Sequence, residues 1–264
     1  MQRVVIAVLF SLVSLMATSC SKIDAFFRNG EPVTEERNVG QPFSVVTMYH
    51  NVNVTLAHDS HPHLELTCPK NLIGKVTTEI SNDTLVIKNE NNFNWIRSFD
   101  YSIDLIVYYD SLRSVNYCSI AELRCSEPLM GMSMPSSEVD STGGSIDSLR
   151  KNNFVLRILE GSGDINLSID CHVMKTVFRN GTSKVILNGY VGYAEHYLDS
   201  YGTIRAQGLS SNIVKVVSKS TNDIYVWPRS TLMATLHGIG NVYYKGHPWI
   251  DQNCTSDGRV IPLE

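Results

Sequence analysis

The chain has 264 residues, of which 43% are hydrophobic and 18% charged, and its 22 basic and 26 acidic side chains leave a formal net charge of −4. This is enough apolar material for an ordinary buried core, in one large or two small domains. With no basic block and no run of interleaved aromatic and basic residues, the sequence lacks the footprint of a nucleic-acid-binding protein.

At the start stand Met1-Gln2-Arg3, an apolar run from Val4 to Met16, and the small residues Ala17-Thr18-Ser19 before Cys20. A basic start, a short apolar core and small residues at a cleavage point make residues 1–19 a secretory signal, too short for a membrane span. Small residues directly before a cysteine resemble the lipobox of bacterial lipoproteins, with Cys20 as the lipidated residue and mature N-terminus. The competing reading is an ordinary signal cut nearby, with Cys20 incidental. Several acyl chains on one cysteine would anchor the protein stably, where one chain binds only marginally. No other stretch is long and apolar enough to span a bilayer. Residues 20–41 are polar, carry Gly30, Pro32 and Gly40, and read as a tether from lipid to domain.

Residues 42–110 read as an N-terminal β region. Phe43 to Met48, Val52 to Leu56, Leu64 to Thr67, Val76 to Ile80, Leu85 to Ile87 and Ile103 to Tyr108 are short runs rich in β-branched and aromatic residues, separated by turn formers. Asn82-Asp83 predicts a hairpin turn, and Asn71 to Lys75 at most one short turn of helix.

From 111 to 260 a repeat takes over. Asp164-Ile165-Asn166-Leu167, Lys184-Val185-Ile186-Leu187, Thr203-Ile204-Arg205-Ala206, Asp223-Ile224-Tyr225-Val226 and Asn241-Val242-Tyr243-Tyr244 align, with their first apolar residues 20, 19, 20 and 18 apart. A second short strand belongs to each repeat: Val155 to Leu159, Thr176 to Phe178, Val214 to Val217, Leu232 to Leu236. A fixed period of this size signals stacked coils that bury their apolar faces against their neighbours. The expected fold is therefore all-β: a β-helix-like solenoid with coils of about 20 residues, preceded by the N-terminal β region packed onto it. A hairpin-built sandwich is the competitor, because alternation alone does not separate parallel from antiparallel pairing.

If the coils stack in register, Ile165, Leu167, Val185, Leu187, Ile204, Ala206, Ile224, Val226, Val242 and Tyr244 point inward. One outward column is then Asp164, Lys184, Thr203, Asp223, Asn241, and the other is Asn166, Ile186, Arg205, Tyr225, Tyr243. Arg205, Tyr225 and Tyr243 form the candidate ligand-binding set, since exposed aromatics on a rigid face can stack on sugar rings or anchor a protein. The bland alternative is an aromatic ladder that only stabilises the sheet.

Other candidates are weaker. His58, His61 and His63, with Asp59, are close enough in sequence to share a divalent metal, yet their Pro-containing segment reads as an exposed turn in which polar residues need no function. Asp164 and Asp223, three rungs and roughly 14 Å apart, are too distant for the paired carboxylates of glycoside hydrolysis. Gly161-Ser162-Gly163 and Gly238-Ile239-Gly240 precede strands, whereas a phosphate cradle opens a helix. Cys118 and Cys125 are the one close pair among the cysteines and a candidate disulfide; the bland reading is small buried hydrophobes. No catalytic residues and no cofactor are expected.

Phe43 to Leu56 as opening strands, Asn71-Leu72 followed by Leu85-Val86-Ile87, Gly161-Ser162-Gly163-Asp164-Ile165, and the ending Gly240 to Ile250 together resemble the head GIN-domain family of "putative auto-transporter adhesins", a domain of unknown function in exported proteins of the Bacteroidetes. The likeness spans roughly 42 to 260. The family favours Gly-Ser-Gly ahead of each repeat strand, which this sequence keeps only at 161–163. The resemblance implies a β-helix-like fold and a cell-envelope location, and it supplies no catalytic residues. The expected protein is a lipoprotein of the cell envelope, at the outer membrane, with a non-catalytic binding or adhesion role toward a glycan or protein. A glycan-processing enzyme and a structural envelope module are the alternatives.

Overall fold

A computed structural model describes residues 30–91, 101–132 and 152–263; the signal segment 1–19 and Cys20 lie outside the described residues. Among those described, every regular element is a β-strand apart from one 3-10 turn at Ile73–Lys75, and no helix is long and apolar enough to cross a membrane. The protein is all-β, as its short alternating runs predict.

Seventeen strands form one continuous sheet, curled so that two ladders share a single apolar core. In chain order they are β1 (Pro32–Asn38), β2 (Val45–His50), β3 (Asn53–His58), β4 (His63–Pro69), β5 (Val76–Ser81), β6 (Thr84–Asn89), β7 (Asp104–Tyr109), β8 (Ser114–Ser119) and β9 (Leu123–Cys125). Then follow β10 (Asn153–Gly161), β11 (Ile165–Phe178), β12 (Lys184–Leu198), β13 (Thr203–Ser218), β14 (Ile224–Leu236), β15 (Val242–Tyr244), β16 (Trp249–Cys254) and β17 (Val260–Pro262). One ladder runs β1, β4, β7, β3, β9, the first halves of β11 to β14, β15 and β17; the other runs β5, β6, β2, β8, β10, the second halves of β11 to β14, and β16. Pairing between the named strands is parallel except where β4 meets β1 and β7, and where β5 meets β6.

Ile165 pairs with Val185, Val185 with Ile204, Ile204 with Ile224, Ile224 with Val242, and Val242 with Val260. The aligned repeats are thus successive rungs. The inward set from Ile165 to Val242 is 0–1% exposed; Tyr244 is partly buried and packs against the core's edge.

Three expectations are corrected. The two strands of each repeat are not separate: β11 runs from Ile165 through Phe178, and its partners in β12 run with it from Val185 to Leu198, so the ladder continues around the corner because each bent strand is supported by a neighbour bent alike. Within the expected tether, Pro32–Asn38 is a strand. Its side chains are mostly exposed, so no apolar alternation marks it; antiparallel pairing to β4 and the Arg37 guanidinium, which donates to the carbonyls of Val76 (2.6 Å) and Ile73 (3.2 Å), hold it in place. Cys118 and Cys125 form no disulfide. They sit on β8 and β9 in different ladders, and the Cys125 sulfur instead accepts the Ser168 N–H at 3.1 Å.

Pairing also crosses position 110. β2 lies between β6 and β8, and β3 between β7 and β9, so strands from both sides of that position belong to the same ladders.

A candidate binding face

Parallel register places Arg205 of β13 opposite Tyr225 of β14, and Tyr225 opposite Tyr243 of β15. Their chain neighbours Ile204, Ala206, Ile224, Val226 and Val242 are buried, so alternation turns the three outward. Arg205 is exposed, and both tyrosines are half-buried. The two phenol rings stack with centroids 5.1 Å apart and planes 13° from parallel. From the rung on the other side, the Arg205 guanidinium lies 5.6 Å from the Tyr225 centroid. Both faces of the Tyr225 ring are therefore covered by its neighbours. The column is a ladder of stacked side chains, and what it offers to solvent is ring edges, hydroxyls and the guanidinium.

The next outward position along the same strands widens the face. Trp227 follows Tyr225 by two residues and Lys245 follows Tyr243 by two, and the Lys245 ammonium sits 4.1 Å from the Trp227 ring. The Lys245 N–H donates to the Val226 carbonyl at 3.0 Å, which fixes its place on the rung. Cation–π contacts of this kind contribute about 0.5–1 kcal/mol at exposed sites. Arg205 and Lys245 make no ion pair among the described residues. The other ladder is arranged differently: there Glu195, with its side chain 14% exposed, bridges Lys175 (3.4 Å) and Lys215 (3.2 Å) on adjacent rungs.

The remaining candidates are not assembled into a site. His63 stacks on Tyr108 at 4.0 Å with its Nδ1 2.9 Å from the His61 carbonyl, His61 points into solvent, and His58 meets Tyr109 edge-on. Among the described residues no three or more His, Cys, Asp or Glu side chains are grouped to hold a metal ion. Asp164 and Asp223 stand three rungs apart, and the Asp223 carboxylate accepts the Asn241 N–H at 2.8 Å. In the core, His196 and Thr176 occupy adjacent rungs with the imidazole nitrogens and the hydroxyl unpartnered. Burial pushes the His196 pKa down to about 4, against a smaller upward pull from Glu195.

Comparison with known proteins bears on all of this. The family model described as "Putative auto-transporter adhesin, head GIN domain" matches residues 42–248. The chain belongs to that family. Among solved structures, a "putative adhesin" from Bacteroides fragilis has a TM-score of 0.73 at 16% identity, covering 90% of this chain and 100% of its own. A "putative lipid binding protein" from Parabacteroides distasonis follows with 0.63 at 18%, covering 90% and 100%, and a "putative adhesin" from the same species with 0.59 at 15%, covering 90% and 99%. At these identities the likeness concerns the fold. No curated protein matches the sequence.

For this GIN-domain protein, Trp227 and Lys245 are the members of the face that sequence reading passed over. The signal was present: they share the parity of Tyr225 and Tyr243, so the alternation that turns those two outward turns these outward as well.

Proposed function

We propose that this GIN-domain protein is a non-catalytic binding or adhesion module of the cell envelope. It is exported through residues 1–19, held at the outer membrane by lipid on Cys20, and built as a β-solenoid of about 20-residue coils. Support for the solenoid is the run of parallel pairings from Ile165 to Val260 at the spacing of the sequence repeat. The observation that carries the binding role is the outward column of Arg205, Tyr225 and Tyr243, stacked on adjacent rungs of a rigid sheet. Family and neighbours named as adhesins point the same way, and one neighbour's name speaks of lipid binding.

The test is a screen against immobilised polysaccharides and envelope proteins. Binding without turnover is expected, and Tyr225→Ser with Tyr243→Ser should abolish it while lowering stability by about 1 kcal/mol, the worth of one stacked pair. Depolymerisation of a glycan would replace this reading with a glycan-processing enzyme. Binding that ignores the double variant would remove the column from the site, and no binding to either class would leave a structural envelope module. For the anchor, Cys20→Ala should move the protein out of the membrane fraction; unchanged membrane association refutes lipidation there.

A further inference from the structure

We propose that this face takes an acidic polysaccharide, its carboxylate or sulfate groups bridging Arg205 and Lys245; the inference rests on the binding role assigned above to the same column. Because Tyr243 and Arg205 cover the two faces of the Tyr225 ring, a sugar ring has nowhere to stack on it. Around that ring the polar groups on offer are the two phenol hydroxyls, the guanidinium and the ammonium, all able to donate.

The charge of the face agrees. Lys184, Arg205, Lys245 and Arg259 face outward or sit at strand starts, interspersed with Asp164, Asp223 and Asp257, and of these cations Arg205 and Lys245 rest on aromatic rings with no carboxylate paired to them among the described residues. The backbones at Arg205 and Lys245 are separated by two rungs and one outward step along the strand, roughly 12 Å by the strand spacings, and their charged groups lie over two different rings of β14. A polymer carrying regularly spaced anions can meet both. A membrane surface fits less well, since the exposed Tyr201 and Ile239 stand in the turns before β13 and β15 and not among the outward residues of the face. Single-stranded nucleic acid needs free ring faces for its bases, and those of Tyr225 are covered.

Retention on immobilised dextran sulfate and polygalacturonate, with neutral dextran and anionic phospholipid vesicles alongside, tests this. The protein should bind at least one of the two polyanions and not neutral dextran, with retention falling as salt rises past 0.1 M, where the screening length is about 10 Å. Arg205→Gln with Lys245→Gln should lower affinity at least ten-fold while lowering the melting temperature by only a few degrees, the expected cost of two exposed cation–π contacts. Failure to bind either polyanion, equal binding of neutral dextran, binding to vesicles alone, or undiminished binding by the Gln pair would each overturn it. If the protein binds a neutral glycan or a protein through Tyr225 and Tyr243 while the Gln pair binds as well as the parent, the binding role stands and the acidic class falls. If neither pair of substitutions alters any binding, both fall.

Discussion

The two ends of the sheet solve the same problem in opposite ways. At the N-terminal end β1 and β5 lie antiparallel to β4 and β6, whereas the C-terminal end stops on the parallel rungs β16 and β17, each paired along one edge. Polar groups on the outer face follow that division. Near the first end acids are answered within the protein: Tyr108 donates to Glu65 at 3.3 Å, Asn53 and Ser102 donate to Asp104 at 2.9 and 2.5 Å, and Arg124 sits 3.7 Å from Glu122. Near the second end, cations rest on aromatic rings and leave their charge facing solvent. Acids near the first end are paired with donors of neighbouring strands, while near the second Arg205 and Lys245 are held by rings and not by carboxylates.

The sharpest way to break this comparison is through glycine. Gly181 sits at φ +115° in the regular C-terminal part, and an added methyl would overlap the Gly161 carbonyl oxygen on the rung before. Gly40, near the N-terminal end, also has positive φ (+65°) but nothing within 4 Å of an added methyl. Gly181→Ala should cost about 4 kcal/mol or more, in the range that marks named structural damage, and Gly40→Ala only about 1–2 kcal/mol, the backbone cost alone. Equal losses in chemical denaturation would mean that the C-terminal rungs are not stacked as tightly as their register implies.

A pH effect of smaller size is expected from His196. Its folded pKa of about 4 lies below its ordinary 6.5, so between those values the unfolded chain binds the proton more readily. Stability from this group is fully present above pH 6.5, declines as pH falls, and is gone below about pH 4, a change on the order of 3 kcal/mol. Stability measured at pH 4 and 7 should show that slope, and His196→Leu should flatten it. An unchanged slope in the variant would assign the acid sensitivity elsewhere.

Smallest is the effect at β1, the strand that caps its ladder by antiparallel pairing to β4. Arg37→Ala removes a charged donor from the Val76 and Ile73 carbonyls and should cost about 2 kcal/mol, the usual worth of hydrogen bonds to a charged group. Hydrogen exchange should rise in β1 and β5 and not in β13. A rise spread evenly over both ends would contradict a local role for the cap.

Much of the C-terminal part is legible in the residues alone. Each rung from Ile165 onward pairs with a segment about twenty residues later, so alternation and period together specify which side chains face the core and which stand in one outward column. Arg205, Tyr225 and Tyr243 are aligned by that logic, and Trp227 and Lys245 follow from the same parity. The N-terminal part is different. β2 pairs β6 and β8 across separations of about 39 and 69 residues, and β1 carries almost no apolar pattern. Alternation determines which side of a strand meets the core, but backbone hydrogen bonds are the same whichever strand lies alongside. Neighbour order there and the burial of His196 without a hydrogen-bond partner were decided only when the sheet curled and brought distant side chains into contact.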